Sequence, residues 1–335
     1  MSNNPSVPRR TPVPGIYVAA ITAVVSGVSV FVNSYGVKSV SSPLVYTTSK
    51  NIVATVILLT AWCWGARVGR RRHAPSLADL RAHHVTLSSR GGPTMTRLRR
   101  GLALAYVGVV GGGFAFVLFF NGLARSQPAA AAFWRDTLVP EVALFAVIFL
   151  RERIRWWNLL TLALLVSGEI MATGGVGHLA AQPGEIDVIA SSGLWAIEVI
   201  VAKTLLRDMA PTSVATVRMG IGATTLLIYV GASGRSSALL ALDARQLVWI
   251  VATGILLALY VATWMTALSR ARALDVTSLL VGAAVITWAL QGIAGSTSSN
   301  ASLVGLALIS AGTLLTLVAN ATKGSRRHLA MGPGT

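Results

Sequence analysis

The chain has 335 residues, of which 54% are hydrophobic and 12% charged, with a net charge of +17. Soluble proteins run at roughly 45–50% apolar and about 25% charged, so this composition excludes an ordinary soluble domain and points to an all-α polytopic membrane protein. The single Cys63 excludes disulfide frameworks and four-cysteine metal sites. The basic residues fall in alternate loops rather than on one patch, which excludes nucleic acid as the partner.

Residues 1–15, "MSNNPSVPRRTPVPG", carry Arg9 and Arg10 ahead of the first apolar run. No small-residue cleavage site is evident after that run, so the first helix reads as uncleaved and the tail as cytoplasmic. Ten apolar segments follow, of the length a bilayer-spanning helix needs, about 20 residues. They run over 16–33, 43–64, 101–121, 128–149, 157–174, 188–206, 211–230, 247–268, 276–294 and 301–320. Only "SRARALD" separates segments 8 and 9, so a merged count of nine is conceivable. The loops weigh against it. With the N-terminus inside, cytoplasmic pieces hold 21 of the 28 Lys and Arg, and the opposite loops hold four: Lys38, Arg125, Arg235 and Arg245. The positive-inside rule then places both termini, including the tail 321–335, in the cytoplasm, which requires an even number of spans. The basic loop 65–100 carries His73, His83 and His84. It reads as a solvated segment near anionic headgroups rather than a metal site.

Seven ionisable residues fall inside spans: Lys50, Arg135, Asp136, Glu141, Glu169, Glu198 and Arg218. A charge at the bilayer centre costs about 2.5–3.5 kcal/mol on insertion scales. The three on segment 4 would together cost on the order of 8–10 kcal/mol against lipid, so they face one another, water or a substrate. Arg135 and Asp136 are about 100° apart around a helix, and Asp136 and Glu141 about 140°, so one narrow stripe does not hold all three. Pro140 lacks an N–H and crowds the carbonyl of Asp136, which predicts a kink beside these charges. Irregular backbone at that depth is tolerated where it lines a cavity. Trp134, Trp195, Tyr260 and Trp264 bring aromatic faces to the same region, where they suit planar, amphipathic or cationic ligands. Packing is the other reading for each. Trp62, Trp64, Trp156 and Trp157 fall at cytoplasmic ends, as an interfacial belt does. No span holds a histidine, so a proton relay would use Asp136, Glu141 or Glu198. A static Arg135–Asp136 ion pair is the alternative to a substrate site.

An internal repeat is visible. "GVVGGGFAFVLFFNGLARSQPAAAAFW" (108–134) aligns with "GILLALYVATWMTALSRARALDVTSLL" (254–280), and Gly168 faces Gly312. Lys50 in "YTTSKNIVATVILL" corresponds to Arg218 in "SVATVRMGIGATTLL". Five spans per copy is an odd number, so the halves 16–174 and 188–320 have opposite orientation, as in many secondary transporters.

The stretch "FNGLARSQPAAAAFWRDTLVPEVALFAVIFLRERIRWWNLLTLALLVSGEI", with Pro140 and Glu152 at a characteristic proline and glutamate, resembles the EamA family of the drug/metabolite transporter superfamily. "ALSRARA" is the second copy of its small turn. The second half lacks a counterpart of Glu152, and the pair Arg135 and Asp136 departs from the family's apolar fourth helix. The resemblance implies a ten-helix bundle with a central cavity, no cofactor, and export of amino acids, other small metabolites or drugs by proton exchange or facilitation. It also implies a peripheral fifth helix, which makes Glu169 a structural residue. Within this picture Trp134, Arg135, Asp136, Trp195, Tyr260, Trp264, Lys50 and Arg218 are the candidate substrate-binding residues. Asp136, Glu141 and Glu198 are the candidate proton carriers. The expected partners are a small molecule, protons and the lipid of the inner membrane. Import or passive facilitation is the other transport reading. No acidic diphosphate motif, His–Glu metal helix or nucleophile with a nearby base supports an enzyme.

Overall fold

Among the described residues every regular element is a helix. The structure, a computed structural model, describes residues 15–72, 96–125, 134–172, 183–294 and 303–330. The expectations for the N-terminal tail, for His73, His83 and His84 in the basic loop, and for the last five residues lie outside this set.

Helix α1 (Gly15–Ser39) turns through Val40, Ser41 and Ser42 into α2 (Pro43–Arg72). Helix α3 runs through Arg97–Ala105, a π-helical stretch Tyr106–Phe114 and Ala115–Arg125. Then come α4 (Leu138–Leu150), α5 (Trp156–Ala172), α6 (Pro183–Leu205) and α7 (Pro211–Ala232). One short turn of helix, Ser236–Leu240, precedes α8 (Ala244–Arg270). Helix α9 is broken into Ala273–Leu280 and Ala283–Ile293, and α10 is Leu303–Ala330. Eight helical stretches among the described residues are long and apolar enough to cross a membrane. Helices α4 and α5, with 13 and 17 residues, are shorter than the roughly 20 that span a bilayer. The expected ten spans thus stand at eight long helices and these two.

The boundaries differ from the sequence expectation for local reasons. Helix α1 continues past 33 because its polar side chains satisfy themselves one turn back: Asn33 donates to the Ser29 carbonyl at 2.7 Å and Ser34 to Phe31 at 2.7 Å. Such back-bonding lets a polar side chain sit within a helix with its donor satisfied. Arg97, Arg99 and Arg100, expected in the basic loop, begin α3, where the Thr96 hydroxyl accepts from the Arg99 N–H. Residues 321–330, expected as tail, extend α10. Helices α8 and α9 are separate, because Ala271 and Arg272 are both extended. Asp243 and Gln246 form a reciprocal capping box that starts α8.

The principal packing pairs are symmetric. Helix α1 packs on α8 and α9, and α6 packs on α3 and α4. Helix α2 packs on α8, and α7 on α3. The pairs α2–α7, α4–α9 and α5–α10 join like to like. Exchanging the first five helices for the second five leaves this pattern unchanged. Gly15 lies against Arg270 and Ala271, Asn158 bonds Asp275 at 3.1 Å, and Thr161 meets Thr316 at 3.2 Å. These contacts bring the start of α1, the start of α5 and the last part of α10 to one end of the bundle, called here the terminal end.

Close approach of α3 and α7 depends on glycine. A Cβ on Gly112 would sit 2.8 Å from the Arg218 carbonyl oxygen and 3.1 Å from the Gly222 Cα. Backbone atoms cannot swing aside as a flexible side chain does. Gly112→Ala is therefore expected to lower the unfolding free energy by about 1–3 kcal/mol, the usual range for overpacking. Gly193, which meets nothing within 4 Å, is the control: its alanine variant is expected to unfold no earlier than the parent. Thermal unfolding of both variants in detergent checks this.

Candidate functional site

The charged residues of the spans do not form one cluster. They sort into three groups. The first joins α6 and α7. Arg218 donates through Nη2 to Glu198 Oε2 at 3.1 Å, and its Nε also contacts the same carboxylate. Only 11% of the Arg218 side chain and 6% of that of Glu198 is exposed. The run Gly111–Gly112–Gly113 makes room for the pair. The Glu198 carboxylate lies where a Cβ of Gly111 would be, and Gly113 accommodates Thr225 of α7. The glycines fall in the π-helical stretch, a geometry that often marks functional positions. The indole N–H of Trp195 donates to the Gly111 carbonyl at 3.0 Å, and its ring meets Phe116 at 5.2 Å and Phe119 at 5.5 Å.

The second group lies at the start of α4. Arg135 donates to Asp136 Oδ1 through Nε at 2.9 Å and Nη2 at 2.8 Å. Asp136 is shared: the Glu169 carboxyl of α5 lies against it and feels Arg135 as well. Glu169 reaches inward and is only 8% exposed. The predicted kink takes the form of a break. Trp134, Arg135 and Asp136 are helical, Thr137 is a turn, and α4 proper starts at Leu138. The carbonyls released there find donors. Ser192 of α6 donates to Trp134 O and Arg135 O, both at 3.1 Å, and the Thr137 hydroxyl reaches Trp134 O at 2.6 Å. Trp134 donates to Glu185 in the first turn of α6 at 3.1 Å. Glu141 meets the Thr137 hydroxyl at 3.0 Å. The break in α9 at Val281 and Gly282 falls at the equivalent place in the second half. Val281 joins Asp136, Thr137, Pro140, Leu165 and Glu169 around a cavity of about 60 Å³. That is room for water, far below the roughly 300–1,000 Å³ of a ligand pocket.

Tyr260 of α8 connects the two groups, lying within electrostatic reach of Arg135, Arg218 and Glu198. It stacks on Trp264 with ring centroids 6.2 Å apart. Arg135, Arg218 and Tyr260 each keep accessible surface, with 41% of the Arg135 side chain exposed and 11% of that of Arg218. Trp264 is 7% exposed and packs in the core.

The third group stands apart. Lys50 donates to Asn33 of α1 at 3.0 Å and forms no ion pair with Glu198 or Asp136. Phe116, Phe119 and Ser192 were missed in the sequence. The aromatic run "FAFVLFF" next to "GGG" was the signal for the two phenylalanines. Nothing local singled out Ser192. Among the described residues no three His, Cys, Asp or Glu side chains are grouped to hold a metal.

The model of the EamA-like transporter family matches residues 13–174 and again 182–318. The chain belongs to the EamA-like transporter family. It is a multi-pass membrane protein of the drug/metabolite transporter type, a family of transporters rather than enzymes, with a small-molecule substrate and a lipid bilayer as partners. No curated protein matches it. One solved crystal structure superposes with a TM-score of 0.65 at 16% identity, covering 90% of this chain and 97% of that one. That likeness speaks for the fold alone.

In this EamA-like chain Glu152, at the family's glutamate, works at the terminal end. Arg151 adopts a left-handed conformation (φ 53°) that closes α4, and the Glu152 N–H returns to the Ala146 carbonyl at 3.1 Å. The Glu152 carboxylate then accepts from the Ala273 N–H at 3.1 Å and lies 3.6 Å from Arg272. A carboxylate on the first turn of α9 suits the helix dipole. Lys203 of α6 donates to the Leu268 and Ala271 carbonyls at the end of α8. Two turns and three helix ends are thereby tied together at the terminal end.

The burial of the two ion pairs sets their sensitivity. Removing one partner of a buried pair costs roughly 3–5 kcal/mol, because the other charge is stranded. Glu198→Gln is thus expected to destabilise by about 3 kcal/mol or more. Asp136→Asn is expected to cost under about 1 kcal/mol, since Arg135 is 41% exposed and the crowding of Asp136 on Glu169 is relieved. Comparative thermal unfolding of the two purified variants in detergent tests the ranking.

Proposed function

We propose that this chain is a secondary-active exporter of small metabolites, amino acids or drugs, working by alternating access in exchange for protons. The observation that carries the reading is the placement of the charges. Arg135, Arg218, Glu198 and Tyr260 come from four helices of both halves, and Tyr260 lies within electrostatic reach of the other three. Helix breaks fall at equivalent positions, Thr137 in α4 and Val281–Gly282 in α9, and Thr137 and Val281 line the same small cavity. Broken helices at matching places in two repeats are how many secondary transporters build a midplane site. In this reading the ten helices are spans, and the two halves are inverted copies that rock about the site. In the same reading the chain sits in the inner membrane, and the basic-loop asymmetry supports cytoplasmic placement of both termini.

Substrate contacts fall to Arg135, Asp136, Trp134, Trp195, Tyr260, Trp264, Arg218 and Lys50. Among the candidate proton carriers, Asp136 and Glu198 each rest on an arginine. Glu141 has only the Thr137 hydroxyl on Oε1, and its Oε2 is buried with no hydrogen-bond partner among the described residues. A carboxyl that is neutral when protonated and costly when bare suits a carrier that must load and release a proton. We therefore assign proton coupling first to Glu141.

Inside-out vesicles and proteoliposomes with an imposed pH gradient test this with a panel of amino acids and cationic dyes. Substrate accumulation should follow the gradient. Glu141→Gln should remove gradient-driven accumulation by at least tenfold and leave substrate–substrate exchange in place. Gradient-driven uptake that survives in both Glu141→Gln and Glu198→Gln ends the carboxylate mechanism. Flux that ignores the gradient makes the chain a facilitator.

A further inference from the structure

The two halves treat their buried cation differently. Helices α2 and α7 each begin on a proline, Pro43 and Pro211, and each carries its cation at the same position, Lys50 and Arg218. In each half the cation turns to the neighbouring helix, α1 or α6. Arg218 finds a carboxylate there, Glu198. Lys50 finds an amide, Asn33.

The amide orientation is set by its surroundings. The Asn33 Nδ2 donates to the Ser29 carbonyl at 2.7 Å, which turns Oδ1 toward Lys50 Nζ at 3.0 Å and the Tyr46 hydroxyl at 2.9 Å. Tyr46 is also 3.0 Å from the Thr253 hydroxyl of α8, and its ring lies 5.4 Å from the ammonium. Every group held to Lys50 is neutral, and no carboxylate among the described residues lies within ion-pair distance of it. An ammonium has three donors, and one is used on Asn33. Lys50 is enclosed by α1, α2 and α8 yet keeps accessible surface.

A cation inside an apolar span pairs with other groups, or faces a water-filled cavity or a substrate path. We propose that the ligand supplies the counter-charge: Lys50, oriented by Asn33 and Tyr46, is the seat of an oxyanionic group, a carboxylate or a phosphate, of the transported molecule. Glu198 supplies that charge permanently to Arg218 in the other half, and the first half leaves it to the substrate. This rests on the transporter reading above and narrows its substrate to anions and zwitterions.

The test converts one half into the other. Asn33→Asp places a fixed carboxylate on Lys50, as Glu198 does on Arg218. Lys50→Met removes the charge and keeps the stem. Thermal unfolding of the full chain in detergent, followed by tryptophan fluorescence, is measured with sodium benzoate, inorganic phosphate, neutral benzamide and sodium chloride at matched ionic strength. A ligand that binds the native state raises its unfolding temperature. Benzoate or phosphate should raise it by several degrees in the parent, and benzamide and chloride should not. Which of the two acts tells the carboxylate from the phosphate. Asn33→Asp should unfold later than the parent without ligand, and both variants should bind the active anion at least tenfold more weakly. The absence of any anion-dependent shift in the parent overturns the proposal, and so does a shift of the same size in both variants. Binding is read here without flux, so its failure leaves the gradient experiment standing, and failure of that experiment leaves this site standing.

Discussion

A charge inside an apolar slab has to meet a counter-charge, water or a ligand, and that constraint organises this bundle. Seven ionisable side chains lie well inside its apolar segments, and their partners differ. Glu198 and Arg218 neutralise each other in a dry contact made possible by three consecutive glycines. Arg135 and Asp136 pair in the open, with Glu169 pressing on the same carboxylate. Glu141 has one hydroxyl. Lys50 has an amide and an aromatic face. The packing of α3 against α6 and α7, the break in α4 and the position of Ser192 all follow from holding these groups.

The symmetry of the packing gives the arrangement its mechanical sense. Like helices pair across the middle as α2–α7, α4–α9 and α5–α10, so the contacts between halves run down the centre of the bundle. The two helix breaks meet there. At the terminal end, Glu152 ties the halves through the first turn of α9, and Lys203 ties α6 to the end of α8 within the second half. Such contacts can be released without stranding a charge in the apolar interior, because they sit at its edge. The interior pairs are of the other kind: they are costly to break and keep the site in register.

Much of this was legible in the sequence. The apolar runs, the loop asymmetry, the repeat and the buried charges were all local or periodic signals. The partners of the charges were not. Glu198 and Arg218 lie 20 positions apart on neighbouring helices, and nothing in either segment says which face turns toward the other. Glu169 was read as a structural residue, and only the packed helices show that its charged neighbours are Asp136 and Arg135. Lys50 and Arg218 were correctly paired as equivalents. Their different partners became visible only when α1 and α6 were in place, because Asn33 stands at the very end of the first predicted segment and nothing along the chain marks it as a partner of Lys50. Pro140 signalled irregular backbone, and the structure located it three residues earlier, where Ser192 takes up the carbonyls.

By itself the sequence determined the solvent of this protein, the number and rough extent of its apolar segments, its family and the residues that cannot face lipid. Hydrophobic length, loop charge and repeat spacing are read along the chain, so one dimension is enough for them. Only the tertiary structure decided which charges neutralise each other and which cation is left with a neutral partner. Those outcomes depend on the rotation of each helix about its axis, which packing against other helices sets through glycine contacts, helix breaks and donors far away in the chain.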